Sequence, residues 1–120
     1  MSRAAIGVAG ALGLSGVALG AFGAHGLRDR LGAGMLDVYR TGVLYHLIHA
    51  AAALAIALAA DKLRRAPLIV TFFALGVVVF SGSLYALALT RVSQLGAITP
   101  IGGLCFMVGW VLILAEARKR

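Results

Sequence analysis

TGVLYHLIHAAAALAIALAA, residues 41–60, contains no Asp, Glu, Lys or Arg. A helix of about 20 predominantly apolar residues is long enough to cross the hydrocarbon core of a bilayer. Three further uncharged runs occupy residues 4–24, 66–90 and 92–115, the last opening with a polar loop. The 120 residues are 62% hydrophobic and 12% charged, with a mean hydropathy of +1.01. So few charges cannot cover the surface of a water-soluble domain of this size. The expected fold is all-α, an integral-membrane four-helix bundle with spans at about 4–23, 42–60, 67–90 and 100–116. One transmembrane domain over residues 1–120 is expected, with no room for a separate soluble one.

The net charge of +7 comes from basic residues gathered at span ends. That placement suits anionic headgroups and topology signals, and argues against nucleic-acid binding. The single Cys105 excludes an intrachain disulfide and reads as a small apolar filler. The first run, at 21 residues, exceeds the roughly 7–15 of a secretory h-region, so a retained span is expected.

In the first run Gly13, Gly16, Gly20 and Gly23 recur in steps of three and four on one face. Such a face lets a second backbone approach closely in lipid, within the chain or in a second copy. HGLRDRLGAG, residues 25–34, reads as a loop. MLDVYRTG then predicts a short interfacial helix before the second span, where Asp37 and Arg40 are spaced to pair. Pro67 fits the first turn of the third helix, and Thr99 with Pro100 reads as N-cap and N1 of the fourth.

With four spans, Arg3, Lys62, Arg64, Arg65, Arg118, Lys119 and Arg120 share a side, against Arg28, Arg30, Arg40 and Arg91. The positive-inside bias puts both termini in the cytoplasm. The other side then collects the polar residues: His25, Arg40, Tyr45, His46, His49, Ser81, Ser83, Tyr85 and Thr99. The inner halves carry only Thr71 and the Trp110 indole, so no ionisable relay crosses the membrane.

Ionisable groups within spans are functional candidates. His46 and His49 read first as neutral imidazoles bridging helices. His25, His46 and His49 with Cys105 form an alternative transition-metal or redox set, since imidazole and thiolate suit zinc or copper. Binding of a small molecule or lipid headgroup is a third reading. The motif lacks the glutamate of HExxH, and no Ser–His–acid constellation is visible, so no enzyme and no cofactor are expected.

GAFGAHGL (residues 20–27), TGVLYHLIHA (41–50), FSGSLYALAL (80–89) and ITPIGG (98–103), then Gly109 and Trp110, occur in an order that resembles domain-of-unknown-function family 423. YgdD-like bacterial proteins and transmembrane protein 256-like eukaryotic proteins belong to that family. The resemblance implies a four-helix protein of the bacterial plasma (inner) membrane. It marks His25, Tyr45, His46, His49, Ser81, Ser83, Tyr85, Thr99 and Pro100 as motif positions, and it implies no reaction. The functional expectation is a non-enzymatic partner subunit or binding module, with the bilayer, a membrane protein or a second copy as partner. Transport of a small solute, ion or lipid is the alternative.

Overall fold

The computed structural model describes residues 2–118, so Lys119 and Arg120 of the charge count lie outside the described residues. Helix α1 (Arg3–Phe22) runs on through a π-helical turn, Gly23–Leu27, as the first span. Helix α2 (Ala33–Leu58) is the second. The third is α3 (Ala66–Gly76), a π-helical turn (Val77–Ser81) and α4 (Gly82–Thr90) in succession. A 3₁₀ turn, Ser93–Ala97, leads into α5 (Thr99–Ala117), the fourth. Each span has 25 or 26 residues. At 1.5 Å per residue that is roughly 38 Å, enough to cross a core of about 30 Å with its flanking interface. The molecule is 50 Å in its longest dimension, and no strand occurs among the described residues. The protein is an all-α, multi-pass membrane bundle.

Four local expectations are corrected. His25 lies within the π-helical turn Gly23–Leu27, which carries the first helix past the expected break. Residues 35–43 are the opening turns of one continuous α2, not a separate interfacial helix. Nothing between Ala33 and Leu58 breaks a helix: proline is absent, and Gly42 is a buried helical position against the Tyr85 ring. The Asp37–Arg40 ion pair does not form, and the Asp37 carbonyl accepts from Thr41 Oγ1 at 2.9 Å. Thr99 is helical and makes no cap; its hydroxyl turns to Ser83.

Helix α2 lies at the centre, packed on α1 on one side and on the third span on the other. The α1 seam is glycine-built: a Cβ at Gly16 would meet Leu47 and His46, one at Gly20 Val43, and one at Gly23 the Tyr39 ring. Gly13 has nothing within 4 Å and takes no part. A second glycine seam, unforeseen, joins α5 to the third span. Gly102 abuts the Phe80 backbone, Gly109 the Phe73 ring, and Gly76 receives the Phe106 ring. Near the chain termini the core is packed through alanines, with Ala53, Ala57 and Ala66 buried against Ile69 and Phe73.

The turn at Val77–Ser81 has a geometric cause. Ile69, Phe73, Val77 and Ser81 are buried at steps of four. Positions four apart drift by about 40° per step around an ideal α-helix. The wider π turn takes up that drift and keeps Ser81 on the face that meets α2.

At the terminal end of the bundle, Ser2 caps α1 by accepting from Ala5 N–H (3.2 Å) while its own N–H donates to Ala57 C=O (3.1 Å). The Glu116 carboxylate accepts from the N–H groups of Arg64 (3.3 Å) and Arg65 (2.8 Å) and pairs with the Arg65 guanidinium at 3.5 Å. A carboxylate at the start of α3 satisfies donors that the helix itself leaves unpaired.

Candidate functional site

Helix α2 carries both in-span imidazoles toward its neighbours. Residues 46 and 49 are three apart and share a face, and both are buried. His46 faces α1 and α4. Its Nε2 lies 3.1 Å from Ser15 Oγ and its Nδ1 2.8 Å from the Tyr85 hydroxyl. Ser15 also donates to the Leu12 carbonyl at 3.1 Å. With the Ser15 proton on the Leu12 carbonyl, Ser15 accepts from His46. In that order the protons run one way, Tyr85 O–H to Nδ1, Nε2–H to Ser15 and Ser15 O–H to Leu12 C=O, and the imidazole is neutral with its proton on Nε2.

His49 faces α5, and its partners allow one form. Nδ1 lies 2.8 Å from the Tyr45 carbonyl, which only accepts. Nε2 lies 3.0 Å from Trp110 Nε1, which only donates. His49 is therefore neutral and protonated on Nδ1, the opposite tautomer to His46. Aromatic rings enclose it: Phe106 stacks at 3.7 Å between centroids, with Phe73 and Trp110 edge-on at 5.1 and 5.8 Å.

The other expected residues divide among separate contacts. Ser81 Oγ donates to Gly42 C=O at 2.6 Å, fixing α2 to the third span. Ser83 donates to Phe80 C=O at 2.8 Å and meets Thr99 Oγ1 at 2.6 Å, fixing α4 to α5. Tyr45 contributes its ring, packed on Phe80 at 4.7 Å, and the carbonyl that orients His49. His25 and Arg40 are exposed, away from this network. Among the described residues no three His, Cys, Asp or Glu side chains group as a metal site would need, so His25, His46, His49 and Cys105 are not brought together.

Ser15, Tyr39, Phe106 and Trp110 complete the arrangement and were not among the expected site residues. The Tyr39 hydroxyl donates to the Leu19 carbonyl, tying α2 to α1, and its ring packs on Tyr85 at 5.1 Å. A signal for Ser15 existed, since it lies between Gly13 and Gly16 beside the packing face. Depth misled the reading of Trp110. Helix α2 starts at Ala33, so His49 is 16 residues along a 26-residue helix, past its middle and level with the indole.

Ser15, His46 and Tyr85 have the connectivity of a nucleophile, a base and an orienting group. What this geometry does is connect helices: α1, α2 and α4 through His46, and α2 and α5 through His49.

Residues 19–103 match the family described as a protein of unknown function (DUF423). The chain is 47% identical to the membrane protein YwdK of Bacillus subtilis over 110 residues, 88% of this chain and 89% of that one. It is 41% identical to a membrane protein of Staphylococcus saprophyticus over 104 residues, covering 86% and 87%. Against the inner membrane protein YgdD of Escherichia coli it is 43% identical over 107 residues, covering 86% and 80%. No solved structure matches the chain. Motif, span number and relatives agree: the chain belongs to the DUF423 family of membrane proteins.

Proposed function

We propose that the protein is a non-enzymatic membrane module, a four-span body held in one arrangement by its histidine network, which acts as a partner subunit through its surface. One observation carries the reading: each ring nitrogen of His46 and His49 is hydrogen-bonded in a neutral form, with partners that include side chains of α1, α4 and α5. His46 uses both ring nitrogens, and His49 its Nε2, in contacts between spans, while His49 Nδ1 is held by the Tyr45 carbonyl of its own helix. Interhelical hydrogen bonds in lipid contribute about 0.6 kcal/mol each on average, and up to about 1.7. Their value in this protein is geometric as well, since two opposed tautomers accept only one registry of the helices.

In this proposal both termini face the cytoplasm, where Arg3, Lys62, Arg64 and Arg65 meet anionic headgroups. The test is His46→Ala and His49→Ala, each read for unfolding in detergent and for recovery of a cross-linked membrane partner from native membranes. Both readouts are expected to fall together. Undiminished stability and partner recovery in both variants would overturn the reading.

A further inference from the structure

Tyr45 carries a polar group that the bundle does not use. Its ring packs on Phe80 at 4.7 Å and lies parallel to those of Phe106 and His49 at 6.2 Å. Its carbonyl orients His49, but its hydroxyl makes no hydrogen bond among the described residues. Depth makes that costly. Tyr45 is the thirteenth of the 26 residues of α2. The Phe80 ring beside it belongs to the fifteenth of the 25 residues of the third span, ten residues from the Thr90 end, or roughly 15 Å. A phenol at that level lies within hydrocarbon, which offers it no acceptor.

The same strip of α2 supplies an acceptor. Thr41 is exposed one turn from Tyr45, and its proton goes to the Asp37 carbonyl, which leaves the lone pairs of its oxygen open. Within one chain the two hydroxyls do not meet. Thr41, Tyr45, Ile48, Ala52 and Ala55 recur at steps of four and three, the spacing of a seam between two helices. Tyr45 and Ile48 are 39% and 46% exposed, and the two alanines let a second backbone come close. Two copies inserted alike and related by a two-fold axis along the membrane normal set equal depths face to face. Side chains lean toward the N-terminus of their helix, so each Tyr45 is directed to the level of the other copy's Thr41, about 6 Å along the axis.

We propose that the protein pairs with a second copy of itself through this strip of α2, Tyr45 of each copy donating to Thr41 of the other. The inference rests on the partner-subunit reading and names the partner. A copy fits because the strip is self-complementary: one donor and one acceptor, one turn apart, are both satisfied across the two-fold axis. An unrelated helix would have to supply an acceptor for Tyr45 and would leave Thr41 unused.

The test uses full-length protein in phosphatidylcholine–phosphatidylglycerol vesicles. Förster transfer between donor- and acceptor-labelled copies, over a range of lipid-to-protein ratios, measures association. Disulfide formation in a Cys105→Ala background locates the face. Copies carrying Ile48→Cys should cross-link, and copies carrying Leu14→Cys, exposed on α1, should not. Tyr45→Phe keeps the ring and removes only the hydroxyl, and should weaken association about tenfold, since two equivalent bonds are lost per pair. Thr41→Val should do the same, and the double variant should be no weaker than either single one. A chain that stays monomeric at every ratio, or a pair unaffected by Tyr45→Phe or by Thr41→Val, would overturn the proposal. Cross-linking at Leu14→Cys and not at Ile48→Cys would overturn it in favour of pairing through α1. If His46→Ala and His49→Ala still lower partner recovery when the chain is monomeric, the partner-subunit reading stands and only the second copy is refuted.

Discussion

Gly102→Ala places one methyl group where the bundle has no space. A Cβ at Gly102 would overlap the Phe80 N and lie 2.6 Å from Phe80 Cα and Cβ, whereas ordinary contacts begin near 3.4 Å. The obstacle is backbone, so no rotamer change relieves it, and α5 must move away from the third span by at least about 0.8 Å, the difference of those two distances, with the nearer Phe80 N asking for more. Overpacking of this kind costs roughly 1–3 kcal/mol. The displacement also strains the 2.6 Å Ser83–Thr99 contact at the same crossing, worth about 0.6 kcal/mol in lipid. Together a loss of about 2 kcal/mol is expected, close to a thirtyfold change in the folding equilibrium. Reversible unfolding by dodecyl sulfate in mixed micelles, followed by far-ultraviolet circular dichroism, measures it. Gly7→Ala is the reference, because a Cβ there meets nothing within 4 Å and a change within about 0.5 kcal/mol is expected. If Gly102→Ala unfolds with Gly7→Ala, the α5 seam is not packed as described.

In the same assay Trp110→Phe should cost about 1 kcal/mol, because it removes the donor to His49 Nε2 while retaining a ring at that position. Ser15→Ala and Tyr85→Phe should each cost about 0.6 kcal/mol but combine non-additively, since His46 links them in one proton-ordered chain; a double-mutant cycle measures the coupling. Glu116→Gln weakens the carboxylate at the start of α3 and should cost about 1 kcal/mol, with faster proteolysis of the 59–65 turn. Arg91 ends α4 in the left-handed region at φ 61°, so Arg91→Gly should stabilise by about 1 kcal/mol in the same unfolding measurement.

The four spans were legible because uncharged length alone decides them, and 41–60 sufficed to show the principle. Glycine steps of three and four gave the α1 face at Gly16, Gly20 and Gly23, but not the failure of Gly13 to join it. That failure arises where the two helices stand apart, which periodicity within one helix does not encode. Gly102 and Gly109 carried the same kind of signal across the bundle, seven residues apart on one face of α5. Depth was the main source of error. Treating residues 25–34 as a loop and 35–43 as a separate helix moved the start of α2 and placed His49 in an outer third. One continuous helix brings it level with Trp110. Ser81 and Tyr85 join the third span to α2 and Ser83 joins it to α5, a division that sequence spacing could not show. The proton order at His46 depends on the Leu12 carbonyl, a backbone atom with no signature in the sequence.

The account rests on two neutral, oppositely protonated imidazoles. Solid-state NMR of histidine-¹⁵N-labelled protein in lipid bilayers at neutral pH reads both ring nitrogens directly. The account predicts His46 protonated on Nε2 and His49 on Nδ1, the latter's bare Nε2 coupled to the Trp110 indole N–H. A doubly protonated ring at either position, or the reverse tautomer at His46 that would leave it competent as a base toward Ser15, would contradict it.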